Sequence, residues 1–388
     1  MTTRTKRQSI LSEWIDHHRL GLRASFEASW LPWLCGRFLT LLALVVAKEL
    51  VHSGQVVDPK AIAGSKAGLL GSDAGWYQAI ASGGYHHSGV ASLRFFPFYP
   101  GVAHLIHEVT RLPVSVILVT VASLFALAST MLAHRLAMFE FGDVRIARAV
   151  AWLINLAPPA FVMVMGYAEG LFMALGLATF FCLRRRQWWW AAVFAFLAGM
   201  TRPTGIVLVL PALVEVLRPS SRVPDWKNGL GRIIVVVAPA AGAAAYLIWV
   251  QAEFHDFLAP YRYQLQSSHH GLADPLVTMA HALTGALHGS HLGTALHLPW
   301  IAGTFVLLVV VFRRLPASYG LFAAAAMAVA LSGSNLDSYE RYAYASFPLL
   351  FAAATFMRST RVTAAVVAAC AAGMTGYAVL TFLGAYVP

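Results

Sequence analysis

The residues that could carry chemistry stand where a chain this apolar has no structural need of charge. Asp73 lies in Gly71-Ser72-Asp73-Ala74-Gly75-Trp76-Tyr77, just ahead of a short helix expected from Trp76 to Ser82. An acid there suits an N-cap or a first helical turn. Capping alone does not account for the aromatic, glycine-rich surroundings, and a general base is the other reading. Glu169 lies in Gly166-Tyr167-Ala168-Glu169-Gly170-Leu171-Phe172, between two apolar runs. A carboxylate at that depth is costly unless it is paired or functional, so it is either an interfacial acid at a hairpin or part of a site. Arg202 stands in Thr201-Arg202-Pro203-Thr204-Gly205, and Arg341 follows Glu340 and precedes Tyr342. A guanidinium at such a place can bind phosphate. The structural alternatives are pairing of Arg202 with Glu169 or Asp73, and local pairing of Arg341 with Glu340 or Asp337.

Metal chemistry has little footing. His255, His269, His270, His281, His288, His291 and His297 are irregularly spaced and form no zinc motif, so a solvated loop is expected. His86 and His87 are better placed, since they share the Asp73 loop. Cys35, Cys182 and Cys370 all fall inside apolar stretches, which provides neither a disulfide framework nor a metal box.

The elements that position these groups follow from composition. Of 388 residues, 59% are hydrophobic and only 12% charged, with mean hydropathy +0.65. A soluble domain carries about a quarter charged residues. A chain this poor in charge cannot cover a water-facing surface, so lipid must be its solvent. The net charge of +11 does not indicate nucleic acid, because the basic residues form short clusters between apolar runs. Spans of about 20 apolar residues are expected near 30–51, 113–138, 147–166, 168–184, 188–201, 203–218, 232–252, 297–313, 316–333, 343–358 and 361–384. The fold class is therefore an all-α polytopic membrane protein with about ten or eleven spanning helices. Residues 1–29 read as a cytoplasmic tail with an interfacial helix, and 30–388 as one membrane domain. Residues 96–110 are a short apolar helix at the membrane surface, and Trp188-Trp189-Trp190 is an interfacial belt.

Placing the N-terminus inside the cytoplasmic membrane puts every basic cluster on the cytoplasmic side: Arg4 to Arg7, Arg135 to Arg148, Arg184 to Arg186, Arg218 to Arg232, Arg313 with Arg314, and Arg358 with Arg361. The outer face then receives the loop 52–112, the Glu169 hairpin, the Arg202 turn, the loop 254–296 and the loop 334–342. Arg202 and Arg341 are arginines that the charge rule does not explain.

With these residues in view, a resemblance emerges. Asp73, Trp76-Tyr77, Ile80-Ala81, Gly84-Tyr85 and Phe95-Phe96-Pro97-Phe98-Tyr99-Pro100 resemble the first outer-loop block of the PIG-V-type mannosyltransferases. Tyr167-Ala168-Glu169-Gly170-Leu171-Phe172, Arg202-Pro203-Thr204-Gly205, and Arg341-Tyr342 with Phe347-Pro348 resemble later blocks of that family, in the same order over roughly residues 30–350. Ser72 departs from the pattern, which often has an aromatic residue before the acid. The resemblance implies a GT-C-type bundle and a functional first outer loop. It also implies sugar transfer from a polyprenyl-phosphate mannose donor at the outer face to a glycolipid or glycan acceptor, with membrane lipid as a further partner and nucleic acid as none.

On that basis Asp73 orients or deprotonates the acceptor hydroxyl. Glu169 orients a sugar hydroxyl or an arginine, and Arg202, Arg341 and Arg94 hold the donor phosphate. Trp76, Tyr77, Tyr85, His86 and Tyr167 line the sugar and acceptor pocket. No metal or other cofactor is required by this scheme. A lipid-linked sugar flippase or transporter is the alternative from another class, and a protein O-mannosyltransferase the alternative within it. Transporters place coupling charges near mid-membrane, whereas these candidates cluster at one edge.

Overall fold

The computed structural model describes residues 3–219, 226–266, 274, 277, 279–280, 283–284, 297–333, 336 and 338–386, with the side chains of the first helix described from Gly21 onward. Among the described residues the chain is helical and has no strand. Helix α1 runs unbroken from Thr3 to His52, across the boundary expected at residue 29. It is followed by α2 (Pro59–Ala67), α3 (Asp73–Ser88) and α4 (Phe98–Thr110), then α5 (Val114–Phe141), α6 (Val144–Leu156), α7 (Glu169–Arg184) and α8 (Trp188–Thr201). Next come α9 (Val209–Leu217), α10 (Trp226–Phe254), α11 (Ala259–Gln266), α12 (His297–Arg314) and α13 (Ala317–Leu331). The last three are α14 (Tyr339–Ala345), α15 (Phe347–Ala354) and α16 (Thr360–Phe382).

Four described helices are long and apolar enough to cross a membrane: α5, residues 229–254 of α10, α12 and α16, with mean hydropathies of 2.3, 2.3, 1.4 and 1.7. Their outward faces carry exposed large apolar side chains such as Leu124, Ile233, Ile248, Val306 and Phe305. Exposure of that kind suits hydrocarbon and not water. Helix α4 is amphipathic, with Tyr99 and Ala103 buried and Leu105 and Val109 exposed. Of the three consecutive tryptophans, Trp189 and Trp190 are exposed, while Trp188 is buried beneath the guanidinium of Arg232.

Three expected spans are not single helices. The run 147–166 ends as α-helix at Leu156, where Pro158 and Pro159 follow, and continues as 3-10 helix over Pro158–Met163. The run 203–218 opens with Pro203 as 3-10 helix over Pro203–Leu208 before α9. The run 343–358 is divided at Ser346, ahead of Pro348. At Pro158 and Pro203 proline removes an amide donor and keeps the preceding residue, Ala157 or Arg202, out of the helical region, whereas Pro348 lies in the first turn of α15, where its missing donor costs nothing.

Helix α7 is the central element. Fourteen of its sixteen residues are buried, which marks a helix enclosed on all sides. It packs against α5 and α8, and α10 packs along α8. Gly170 makes the α5 contact possible, since a side chain there would meet the carbonyl oxygen of Ala122 at 2.7 Å. Gly242 plays the same part between α10 and α8, where a Cβ would collide with the carbonyl of Phe196.

The C-terminal end of α7 is fastened by ions. Arg184 Nε donates to Glu140 at 2.6 Å, and Arg184 Nη1 donates to both oxygens of Glu215 at 3.1 Å. Ser318 donates to Glu215 at 2.7 Å and Tyr319 to Glu140 at 2.9 Å. One network thus ties α5, α7, α9 and α13. Arg184→Met should leave two enclosed carboxylates short of their cation. The expected loss is about 3–5 kcal/mol, measured as a fall in the unfolding midpoint of the detergent-solubilised protein.

Candidate functional site

The site is built at the opposite end of α7, where the helix breaks lie. The connection from α6 passes through Pro158–Met163 and turns at Gly166, whose amide donates to the carbonyl of Leu69 at 3.0 Å. That bond brings the loop before Asp73 beside the turn that starts α7. Glu169 is the first residue of α7. Thr201 ends α8, and Arg202 is extended (φ −151°, ψ 149°), so its side chain leaves the helix axis. Helix α14 rests on the 3-10 segment Pro158–Met163 and carries Arg341.

Four residues from four elements meet. Arg341 Nη1 donates to Asp73 Oδ2 at 2.7 Å, and Arg341 Nε lies 3.4 Å from Glu169 Oε1. Arg202 Nη1 makes a short hydrogen bond to the same Glu169 oxygen. Two acids and two arginines form one network, not separate pairs. The side chains of Glu169, Arg341 and Arg202 are 3%, 8% and 10% exposed, whereas Asp73 is 29% exposed. Aromatic rings frame the cations. Tyr342 faces both guanidinium groups, at 5.2 Å from Arg202 and 5.6 Å from Arg341. Tyr167 lies 5.5 Å from Arg341, and Phe172 lies 5.8 Å from Arg202. These contacts hold planar cations in place at modest cost.

Backbone strain falls at the same place. Among the described residues five non-glycine residues have positive φ, and two of them, Ser72 (φ 55°) and Ser338 (φ 66°), immediately precede α3 and α14. Each starts the helix that carries a member of the network. Such conformations persist where the surroundings over-determine them. Asp73 stands in the first turn of α3, as expected, but the N-cap position is Ser72, and the carboxylate bonds Arg341 and not an amide of its own helix.

Electrostatics follow the geometry. Burial pushes the Asp73 carboxyl up, but Arg341, with Arg202 and Arg94 behind it, brings it net below its ordinary value. Burial likewise works against the charge of Arg341, and Asp73 and Glu169 outweigh it, holding the guanidinium above its ordinary value. Arg94 stacks 4.9 Å from the Phe95 ring and 5.4 Å from the Trp76 ring, and its buried Nε has no hydrogen-bond partner. Counting Asp73, Glu169, Arg202, Arg341 and Arg94, the neighbourhood carries one net positive charge.

The remaining expected site residues divide. Tyr77 is buried between Phe95 and Tyr99, with ring centroids at 5.1 and 5.0 Å, and lies within electrostatic reach of all four network charges. Tyr85 turns away. Its hydroxyl donates to the Phe95 carbonyl at 2.7 Å, and its ring packs against Tyr246 and Trp249 of α10. His86 is exposed, bonds Glu253 at 2.8 Å and stacks on Phe254. Both residues brace α3 against α10, and their described contacts do not include the network.

Two local expectations are overturned. Glu340 does not pair with Arg341. It accepts from His297, with Nδ1 at 2.5 Å, and from the Tyr386 hydroxyl at 3.1 Å. His297 is accordingly buried and not part of a solvated loop. Asn335, Asp337, His269, His270, His281, His288 and His291 lie outside the described residues. Cys35, Cys182 and Cys370 are free. Among the described residues no three His, Cys, Asp or Glu side chains are grouped to hold a metal. An apolar groove of about 680 Å³ between α1 and α16, lined by Leu39, Ala371, Thr375 and Val379 among others, contains no ionisable group and lies apart from the network. No family model matches the chain, and no curated protein matches it.

Proposed function

We propose that this chain is an integral membrane glycosyltransferase of the GT-C kind, similar to the PIG-V-type mannosyltransferases. In this reading it moves a mannosyl unit from a polyprenyl-phosphate donor to a lipid or glycan acceptor at the extracytoplasmic face. The proposed topology has ten or eleven spans in the cytoplasmic membrane with the N-terminus inside. The observation that carries the reading is the convergence of Asp73, Glu169, Arg202 and Arg341 in one largely enclosed network, with Asp73 its most exposed member. These residues belong to blocks of the family resemblance that are as much as 268 positions apart.

The chemistry needs few groups. The donor is a phosphodiester with one negative charge, and the local excess of one positive charge suits it. The acceptor oxygen attacks the sugar carbon while the bond from that carbon to the phosphate oxygen breaks. The electron pair leaves with the prenyl phosphate, and the acceptor proton passes to Asp73. Configuration at the sugar carbon inverts. Arg341 and Arg202 take up the charge that develops on the departing phosphate. The leaving group is already a stable anion, so a second carboxylate is not needed as an acid, and Glu169 acts by fixing the two arginines. Donor phosphate competes with Asp73 for Arg341, and this competition frees the carboxylate to act as base.

The test is transfer by the purified protein in vesicles, supplied with radiolabelled polyprenyl phosphomannose and membrane glycolipid extract. Label in the glycolipid together with release of prenyl phosphate is expected. Movement of intact donor across the bilayer without cleavage would favour the transporter reading and overturn this one.

A further inference from the structure

Arg37 has no part in the mechanism, yet it is the most anomalous charge in the helix bundle. It sits on α1 within an apolar run and is 8% exposed. Among the described residues no carboxylate lies within ion-pair distance of it; every other described arginine as deeply buried has one. Its donors go to neutral acceptors instead. Nη1 donates to the Trp33 carbonyl and to Asn155 Oδ1, both at 3.1 Å, and Nη2 donates to the Met163 carbonyl at 3.2 Å. The guanidinium lies 4.8 Å from the Trp33 ring, and Nε has no partner. A lone cation in a dry interior is unfavourable unless something requires it there.

Its acceptors indicate what that is. Met163 ends the 3-10 segment that leads through Gly166 and Tyr167 to Glu169, and Asn155 lies in the last turn of α6. Where α6 breaks, carbonyl groups are left without helical partners. Tyr344 of α14 donates to the carbonyl of Ile154, and Arg37 donates to that of Met163. A cation is favoured at the carbonyl end of a helix. Asn155 is itself fixed, donating to Thr130 of α5 at 2.9 Å. The α1–α6 approach is close, since a Cβ on Gly36 would stand 2.7 Å from the Asn155 carbonyl oxygen.

We propose that Arg37 is a positioning residue, whose bonds to Asn155 and Met163 hold the broken connection between α6 and α7 so that Glu169 and Tyr167 meet Arg202 and Arg341. The inference rests on the transferase reading for its kinetic consequence and on geometry alone for its structural one.

Arg37→Met and Arg37→Lys separate the two. Methionine removes the cost of burying an unpaired charge, which offsets the acceptors on Trp33, Asn155 and Met163 left without this donor, so the methionine variant should unfold close to the wild-type midpoint. Its kcat for mannosyl transfer should fall by about 10²-fold, the order of loss that an ångström of misplacement causes, with donor KM within about twofold of wild type. Arg37→Lys keeps the charge and should recover part of kcat. Hydrogen exchange in peptides covering 164–172 should rise in the methionine variant while α10 stays unchanged. Wild-type kcat in Arg37→Met, or a kcat loss matched by faster exchange throughout the protein, would overturn the proposal. If the wild-type protein transfers nothing, the functional reading fails, and the exchange measurement alone decides Arg37: a local rise supports it and no local change overturns it.

Discussion

Asp73→Asn should lower the proposed mannosyl transfer by about 10²–10⁴-fold, the range supplied by a positioned general base, with donor affinity close to wild type. Asparagine keeps the shape and can still accept a bond from Arg341, so the guanidinium stays oriented while the base is lost. Asp73 is the most exposed member of the network and Glu169 the least, so in the proposed reaction the acceptor hydroxyl is assigned to Asp73. The pH dependence carries a further signature. Asp73 is faced by Arg341, Arg202 and Arg94, with Glu169, Tyr77 and Tyr167 also nearby, and its carboxyl is held below its ordinary value. The acid limb of kcat/KM, which reports the free enzyme, should therefore lie on the acid side of an ordinary carboxylate. Once donor phosphate draws on Arg341, burial is less opposed, and the acid limb of kcat should lie at higher pH. The sign for stability follows from the depressed value in the folded protein. The Asp73 contribution is present above the ordinary carboxyl value and is lost as pH falls through the lower, folded one. Turnover at the wild-type rate in Asp73→Asn, or a kcat limb more acidic than that of kcat/KM, would remove the base assignment.

Arg341→Met is the second large effect, and it should strike stability and turnover together. The arginine bridges Asp73 and Glu169, and its loss leaves two acids facing Arg202 in an enclosed site. Breaking a buried pair from one side costs about 3–5 kcal/mol. Removing a donor aimed at developing charge costs about 10²–10³ in turnover. Arg341→Lys distinguishes the two. A point charge should restore much of the unfolding midpoint, but it cannot present the fork that reaches both acids or a phosphate, so turnover should stay low. A lysine variant that recovers both equally would reduce Arg341 to a counter-ion.

Much of this arrangement was legible in the sequence, for identifiable reasons. Asp73, Glu169, Arg202 and Arg341 are charges in places where neither hydropathy nor the positive-inside rule accounts for them, and the structure brings all four together. Their partners were not legible. Sequence proximity favoured Glu340 for Arg341, yet neighbours on one short helix point to different sides, and Glu340 turns to His297 instead. Tyr85 and His86 shared the Asp73 loop but follow the kink at Gly84 (φ 72°) and pack on α10. The sequence marks a kink at Pro203, between the runs 188–201 and 203–218, and the structure has one there, whereas the break at Pro158 and Pro159 lies inside a run that a count of apolar residues reads as continuous. Arg37 was hidden by its own context, one charge inside a long apolar run, although an ionisable residue within a span is itself a reason to look for function.

Helix α7 begins at the Glu169 network and ends at the Arg184 network, so the two lie roughly 22 Å apart at 1.5 Å per residue. A rod enclosed along its length and riveted at both tips can neither slide nor turn without breaking ions in a dry interior. In the proposed reaction, any rearrangement that admits a substrate therefore falls to elements other than α7. Asp73 sits on one of these, α3, directly after the left-handed Ser72. In mechanical terms α7 is a fixed anvil, against which the elements carrying Asp73, Arg202 and Arg341 are set.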